Sequence, residues 1–333
     1  MSLSLLEPRY WMHWDPTAKP CLDEASLTTS HRLRECSLFT DDGLAALLSR
    51  HPRQDTRLTT MGHDLSHPTE IQYGEIGSAS GRELLDLVRH GRLCLQLHNL
   101  CSRRDAIATL TRNLGREFDE CFGSQAQESG AFLEISSPQS LHYLHTECDH
   151  QVNWQIRGER TQKTYPATQP LVSSNTLDSI ASGSHDHPLY YEPAFERHAQ
   201  QVKQSAGWLS TTPALTPSLT VNSNELTVVL TTMHSTPRST RLVHIHRANH
   251  FIRRFMPVRS PDRTLAACRW LKRCLGRRIA PQTQQLPPIT FQVNSRNSLA
   301  SNTKPFDRNG ESGGIARVPI DTNPSLASIP AKV

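Results

Sequence analysis

Residues 131–166 read "AFLEISSPQSLHYLHTECDHQVNWQIRGERTQKTYP", and this stretch decides the fold. Its β-branched and aromatic residues come in short runs separated by Ser-Pro, Cys-Asp and Gly, which predicts short strands joined by turns. His145 and Glu147 stand two positions apart, so on a strand both side chains would share one face. A histidine and a carboxylate on one face, followed by a Gly turn and a basic residue, is the opening of a non-haem iron site. The alternation of Trp154 and Ile156 with Asn153 and Gln155 predicts a half-buried strand.

The chain of 333 residues has room for one large domain or two smaller ones. Its start, "MSLSLLEPRYWMHWDPTAKP", has neither the basic nor the apolar block of a signal peptide. No 18-residue apolar run is present, so no membrane insertion is expected and the cytoplasm is the expected location. The eight cysteines are irregularly spaced and lack CxxC, which favours free thiols over a disulfide framework or a zinc site. The net charge of +5 is uneven: residues 238–278 carry twelve Lys/Arg against Asp262, or +11, leaving −6 for the rest. Such a block meets nucleic acid, an anionic membrane surface or an acidic partner, or is a solvated helical face.

Outward from the central strands, Thr40 and Asp41 can cap a helix through Leu44, Leu47 and Leu48, and Ser80 a second helix ending at Gly91. Residues 92–100 alternate as a strand, and 104–121 return to helical period despite Gly115. Residues 51–79 show little periodicity, and 167–188 read as a variable loop containing His185, Asp186 and His187. A short helix and a turn are expected over 190–208, with Trp208 in the core, and a strand over 224–234 with Leu226, Val228 and Leu230 on one face. The expected organisation is an irregular segment 1–30, a helical part 31–128 packing on the barrel, a barrel 129–239, a basic helical extension 240–278 broken near Pro257 and Pro261, and a disordered tail 279–333. The fold class is mainly β with helical additions (α+β), a double-stranded β-helix of cupin or jelly-roll type.

Several of these motifs, in order, resemble bacterial cupin-like proteins of the JmjC type, related to Fe(II)/2-oxoglutarate-dependent dioxygenases. They are "ISSP", "HTE" followed by "WQIRGER", "TYP", "YYEPAFE", "NELTVVLTTMH" and "HRANHFIRRF", spanning roughly 31–275. The resemblance implies Fe(II) held by His145 and by Glu147, whose extra methylene relative to Asp moves the oxygens by about 1.5 Å. It places Ser218, after Pro217, where the family has its distal histidine, so the metal triad is incomplete. His142, Asp149, His150, His234 or the cosubstrate are the candidate replacements. It also sets Arg160 where a basic residue binds the far carboxylate of 2-oxoglutarate; a surface position after a hairpin is the alternative. The implied function is a 2-oxoglutarate/Fe(II)-dependent hydroxylase, with a non-catalytic cupin-like binding or regulatory module as the alternative. A homodimer through the C-terminal helices, an anionic partner at 238–278, and a protein or small-molecule substrate complete the expectations. His244 and His246 are expected to be structural or surface residues, and Cys148 an inert thiol.

Overall fold

The computed structural model describes residues 11–13, 23, 25–65, 71–102, 105–122, 127–184, 189–255, 269–281 and 288–295. Eight strands form the barrel: β5 (Gln127–Ser136), β6 (Leu141–His145), β7 (His150–Arg157), β8 (Glu159–Thr164), β9 (Gln200–Ser205), β10 (Trp208–Thr212), β11 (Ser218–Asn222) and β12 (Thr227–Ser235). They are dealt into two facing sheets, in the orders β10-β7-β12-β5 and β6-β11-β8-β9, with antiparallel neighbours throughout. Successive strands alternate between the sheets, except β8 and β9, which lie side by side in the smaller one, and this is the strand order of a double-stranded β-helix. The turn that carries the chain from β7 in the larger sheet to β8 in the smaller one is made at Gly158 with φ +69°, where an added Cβ would lie 2.5 Å from the Leu226 carbonyl oxygen.

The larger sheet continues past the barrel. β1 (Thr28–Ser30) pairs with β10, and β4 (Leu93–Leu97), β2 (Thr56–Thr60), β3 (Tyr73–Ile76) and β13 (Ile289–Val293) follow β5 in that order. The part 31–128, expected to be mainly helical, therefore contributes three strands, of which only β4 was expected, β1 lies in the expected irregular segment, and Ile289–Val293 of the expected disordered tail is a strand. Thr- and Gly-rich "TRLTT" and "YGEI" carry too few apolar residues to show a period, and they are held by ladder bonds instead, β2 to β4 and β3 to β2. β13 is Ile-Thr-Phe-Gln-Val, an alternating strand concealed in Pro-rich surroundings.

Helices cover the outer face of this sheet. α1 (Asp41–Arg50) begins where the Thr40 hydroxyl accepts from the Gly43 N–H at 3.2 Å. α2 (Gly81–His90) begins with a capping box between Ser80 and Glu83. α3 (Ala106–Phe122) runs through Gly115 because Ile107, Leu110, Leu114 and Phe118 are buried along one face. They meet Leu133, Ile135, Val152, Trp154, Val228 and Leu230 of the sheet in one apolar layer. Trp208 is an exception to expectation: it points outward and is 48% exposed.

A second apolar layer lies outside the smaller sheet, where Leu144, Tyr165 and Leu219 pack with Leu177 and Val243. Leu177 belongs to α4 (Ser174–Ala181), a helix inside the expected loop, capped by the Ser173 hydroxyl at 3.0 Å from the Thr176 N–H. Val243 belongs to α5 (Pro237–Phe255), which packs on α4 and on α6 (Arg269–Arg278). Buried Asp178 joins α4 to α5, meeting His246 Nδ1 at 2.7 Å and Arg253 Nε at 3.0 Å, so His246 has the structural role expected of it. His185–His187 and the expected break at Pro257 and Pro261 lie outside the described residues. Among the described residues no helix is long and apolar enough to cross a membrane.

Candidate functional site

With the apolar faces of both sheets turned outward, strand alternation turns the remaining side chains into the barrel. Most of those side chains are polar, with Val229, in register with Glu134, an apolar exception. From the larger sheet come Glu134, Ser136, Asn153, Gln155, Ser210, Thr212 and Thr231; from the smaller come Arg160, Gln162, Thr164, Gln204, Ser218, Thr220 and Asn222, all buried. Asn153 and Gln155 are thus on a fully buried strand, and the polar half of their alternation faces a lumen rather than solvent.

The lumen groups bind one another. Arg160 Nε donates to Gln204 Oε1 at 2.8 Å, Gln204 Nε2 donates to Gln162 Oε1 at 2.5 Å and to the Ser210 hydroxyl, and Gln162 Nε2 donates to Thr212 Oγ1 at 2.9 Å. Thr231 donates to Asn153 Oδ1 at 3.0 Å, and Asn222 Nδ2 to Ser136 Oγ at 2.9 Å. Asn153 Nδ2 and Gln155 Oε1, both buried, have no hydrogen-bonding partner among the described residues. Arg160 is therefore a lumen residue, not a surface one. Burial lowers its pKa to about 10, opposed by the nearby Glu134 carboxylate, so it stays charged at neutral pH.

His145 ends β6. The β6–β11 ladder pairs Ser218 with His145 and Thr220 with His142, skipping one residue, so a bulge at Tyr143–Leu144 turns both histidines inward. His145 Nδ1 lies 3.0 Å from the Tyr143 carbonyl oxygen. Donation from Nδ1 to that carbonyl leaves Nε2 as the lone-pair nitrogen, the arrangement usual for a metal-ligating histidine. Burial lowers the His145 pKa, which favours this neutral form. Glu147 lies two residues past the end of β6, so its position does not follow from the period of a strand. Glu147 is an exposed residue. Crowding by protein, with the charge of Asp149 second, pushes its pKa up to about 7.

Three of the expected substitutes for a third ligand, His142, His150 and His234, face other groups. His142 Nε2 lies 2.8 Å from Glu134 Oε1. His150 Nε2 lies 2.9 Å from Asp23 Oδ1, and His234 stacks on Phe118 with centroids 4.2 Å apart, on the helical side of the sheet. Among the described residues, His145 and Glu147 belong to no set of three His, Cys, Asp or Glu side chains with ligand atoms within 4.8 Å of one another. An iron ion would thus find two protein ligands and a neutral hydroxyl, a donor set that does not fit the three-ligand face of non-haem Fe(II). Cys148, with its thiol pKa pushed up to about 11 by burial, is an inert thiol.

The sequence reading missed Glu134, Cys94, Gln204 and the inward course of Asn153. The one signal available was the alternation of polar with large apolar residues in "FLEIS" and "VNWQI".

No family model matches the chain, and no curated protein does. Among solved structures it is similar to YcfD of E. coli, at 15% identity and a TM-score of 0.49 over 77% of this chain and 62% of that one. It is also similar to YcfD described as a ribosomal oxygenase in complex with cobalt and 2-oxoglutarate, at 14% identity and a TM-score of 0.46 over 76% of this chain and 61% of that one. The chain thus spans less than two thirds of the length of those proteins, and it is the strand order that establishes the fold.

Proposed function

We propose that the chain is a dioxygenase-type barrel that binds a small carboxylic acid, with 2-oxoglutarate the candidate, and does not turn it over. The register that sets Ser218 opposite His145 carries this reading, because it puts a hydroxyl where the resemblance calls for the third metal ligand. The polar lumen supports binding: Arg160 offers a charged fork, and Asn153 Nδ2 and Gln155 Oε1 offer a donor and an acceptor. Calorimetry with 2-oxoglutarate, with and without Mn(II), tests it. Binding should be present without metal, and no succinate should form with Fe(II) and air. Arg160→Ala should weaken binding roughly 10- to 150-fold, since a charge-assisted bond contributes about 1.5–3 kcal/mol. Arg160→Lys should retain part of it. Undetectable binding at millimolar ligand would end the proposal.

A second reading, an Fe(II)/2-oxoglutarate-dependent hydroxylase with a protein or small-molecule substrate, is favoured by the His145 Nδ1 contact that leaves Nε2 available. Metal-dependent 2-oxoglutarate binding together with succinate formation would establish it instead.

The proposal extends to partners: a homodimer through α5 and α6, an anionic partner along 238–278, and residence in the cytoplasm. Phe251, Trp270 and Leu271 are 40%, 68% and 56% exposed and support the dimer contact; Leu265 and the Phe255 side chain lie outside the described residues. Light scattering should give a dimer mass that Trp270→Ser with Leu271→Ser lowers to that of a monomer. A wild-type monomer would remove this part.

A further inference from the structure

We propose that Cys94, Glu134 and His142 form a binding site for a divalent transition metal of the zinc class, separate from the His145 position and independent of the reading above. Cys94 and Glu134 come from β4 and β5, neighbours in the larger sheet, and His142 from β6 at the edge of the smaller one, and their ligand atoms lie within 4.8 Å of one another. A tetrahedral ion with bonds of about 2.0–2.3 Å needs its ligand atoms about 3.4 Å apart, so the cluster closes on an ion with side-chain shifts of about an ångström. Thiolate, carboxylate and imidazole make a borderline-soft set that suits zinc and leaves a fourth position open.

The surroundings are those of a held ligand set. Cys94 is 1% and Glu134 6% exposed, so neither is a solvated surface group. Gln96 Nε2 donates to Glu134 Oε2 at 3.1 Å and fixes the carboxylate from behind. The His142 side chain is 24% exposed, which gives an ion a way in. In the metal-free arrangement the His142 imidazole, Gln96 and the Arg160 charge all act on this one carboxylate, whose pKa is held down to about 2 against the rise that burial alone would give. An ion takes over the place of the His142 contact and displaces the Cys94 proton, so binding strengthens as pH rises.

Co(II) reports the site, because a thiolate ligand gives a charge-transfer band in the near ultraviolet. The full-length protein, stripped with chelator and titrated with Co(II), should show the band at one equivalent, and Zn(II) should abolish it. Cys94→Ser should remove the band, and His142→Gln, at a half-buried position, should weaken Co(II) at least tenfold. His145→Ala should leave it intact, which separates this site from the one facing Ser218. No band in the wild type, or a band that survives Cys94→Ser, overturns the proposal. Should Cys94→Ser fail to fold, zinc-edge absorption on the wild type decides instead: one sulfur scatterer supports the site, and none refutes it.

Discussion

The two sides of the larger sheet are built on opposite principles. Its outer face, from Leu133 to Trp154 and Leu230, is buried against α1–α3 in an apolar layer. Its inner face, one residue along each strand, is buried just as deeply but carries Glu134, Asn153 and Thr231. Burying apolar surface stabilises at roughly 25 cal/mol per Å², whereas each buried polar group must be matched by a partner before it costs nothing. The outer layer therefore holds the fold together, and the lumen is kept polar at the expense of stability. That division is what a binding barrel requires, and it is why the polar lumen, more than the fold itself, points to function.

The division is open to test by substitution. Trp154→Ala, at a fully buried position of the outer layer, should cost about 3–5 kcal/mol in urea unfolding. Thr220→Val in the lumen, at nearly unchanged volume, should cost about 1 kcal/mol or less. Equal losses would mean that the lumen is a structural core and not a site.

A smaller effect separates the two faces by pH. His234, on the helical side, has its pKa lowered to about 3, burial first and His150 second. The unfolded chain takes up that proton first, so stability falls as pH drops from 6.5 towards about 3, and His234→Leu should flatten this loss. Glu134, in the lumen, differs: burial, the largest single influence, would raise its pKa, but the charge and hydrogen bond of His142 together with Arg160 and Gln96 hold it at about 2. Its contribution is present above pH 4.5 and is lost between 4.5 and about 2, and Glu134→Gln should remove that step. Urea midpoints from pH 7 to pH 2.5 check both. A single step shared by both variants would show that the faces titrate as one unit.

What could be read from the sequence was the outer layer. Thr40, Ser80 and the leucines of α1 and α2 announce their helices, and Leu226, Val228 and Leu230 announce β12, because capping and periodicity are local. The lumen was harder to read, because it depends on which strands face each other. Asn153 and Gln155 look identical whether they face water or a closed interior. The bulge at Tyr143–Leu144 that turns His142 and His145 to the same side leaves no mark in "LHYLH". Cys94, Glu134 and His142 meet only because β4, β5 and β6 are neighbours in space, and no spacing encodes that. α4 was concealed by polar composition, although Ser173 before "SNTLDSIA" is a legible cap.

The proposed function requires that the His145 position lack a third metal ligand because Ser218 stands there. Anaerobic calorimetry with Mn(II), a hard ion poorly suited to the Cys94 thiol, measures it directly on wild type, Ser218→His and His145→Ala. His145-dependent Mn(II) binding should be weak in the wild type and at least tenfold tighter in Ser218→His. Equal affinity in the two, or tight wild-type binding that Ser218→His does not change, would contradict it.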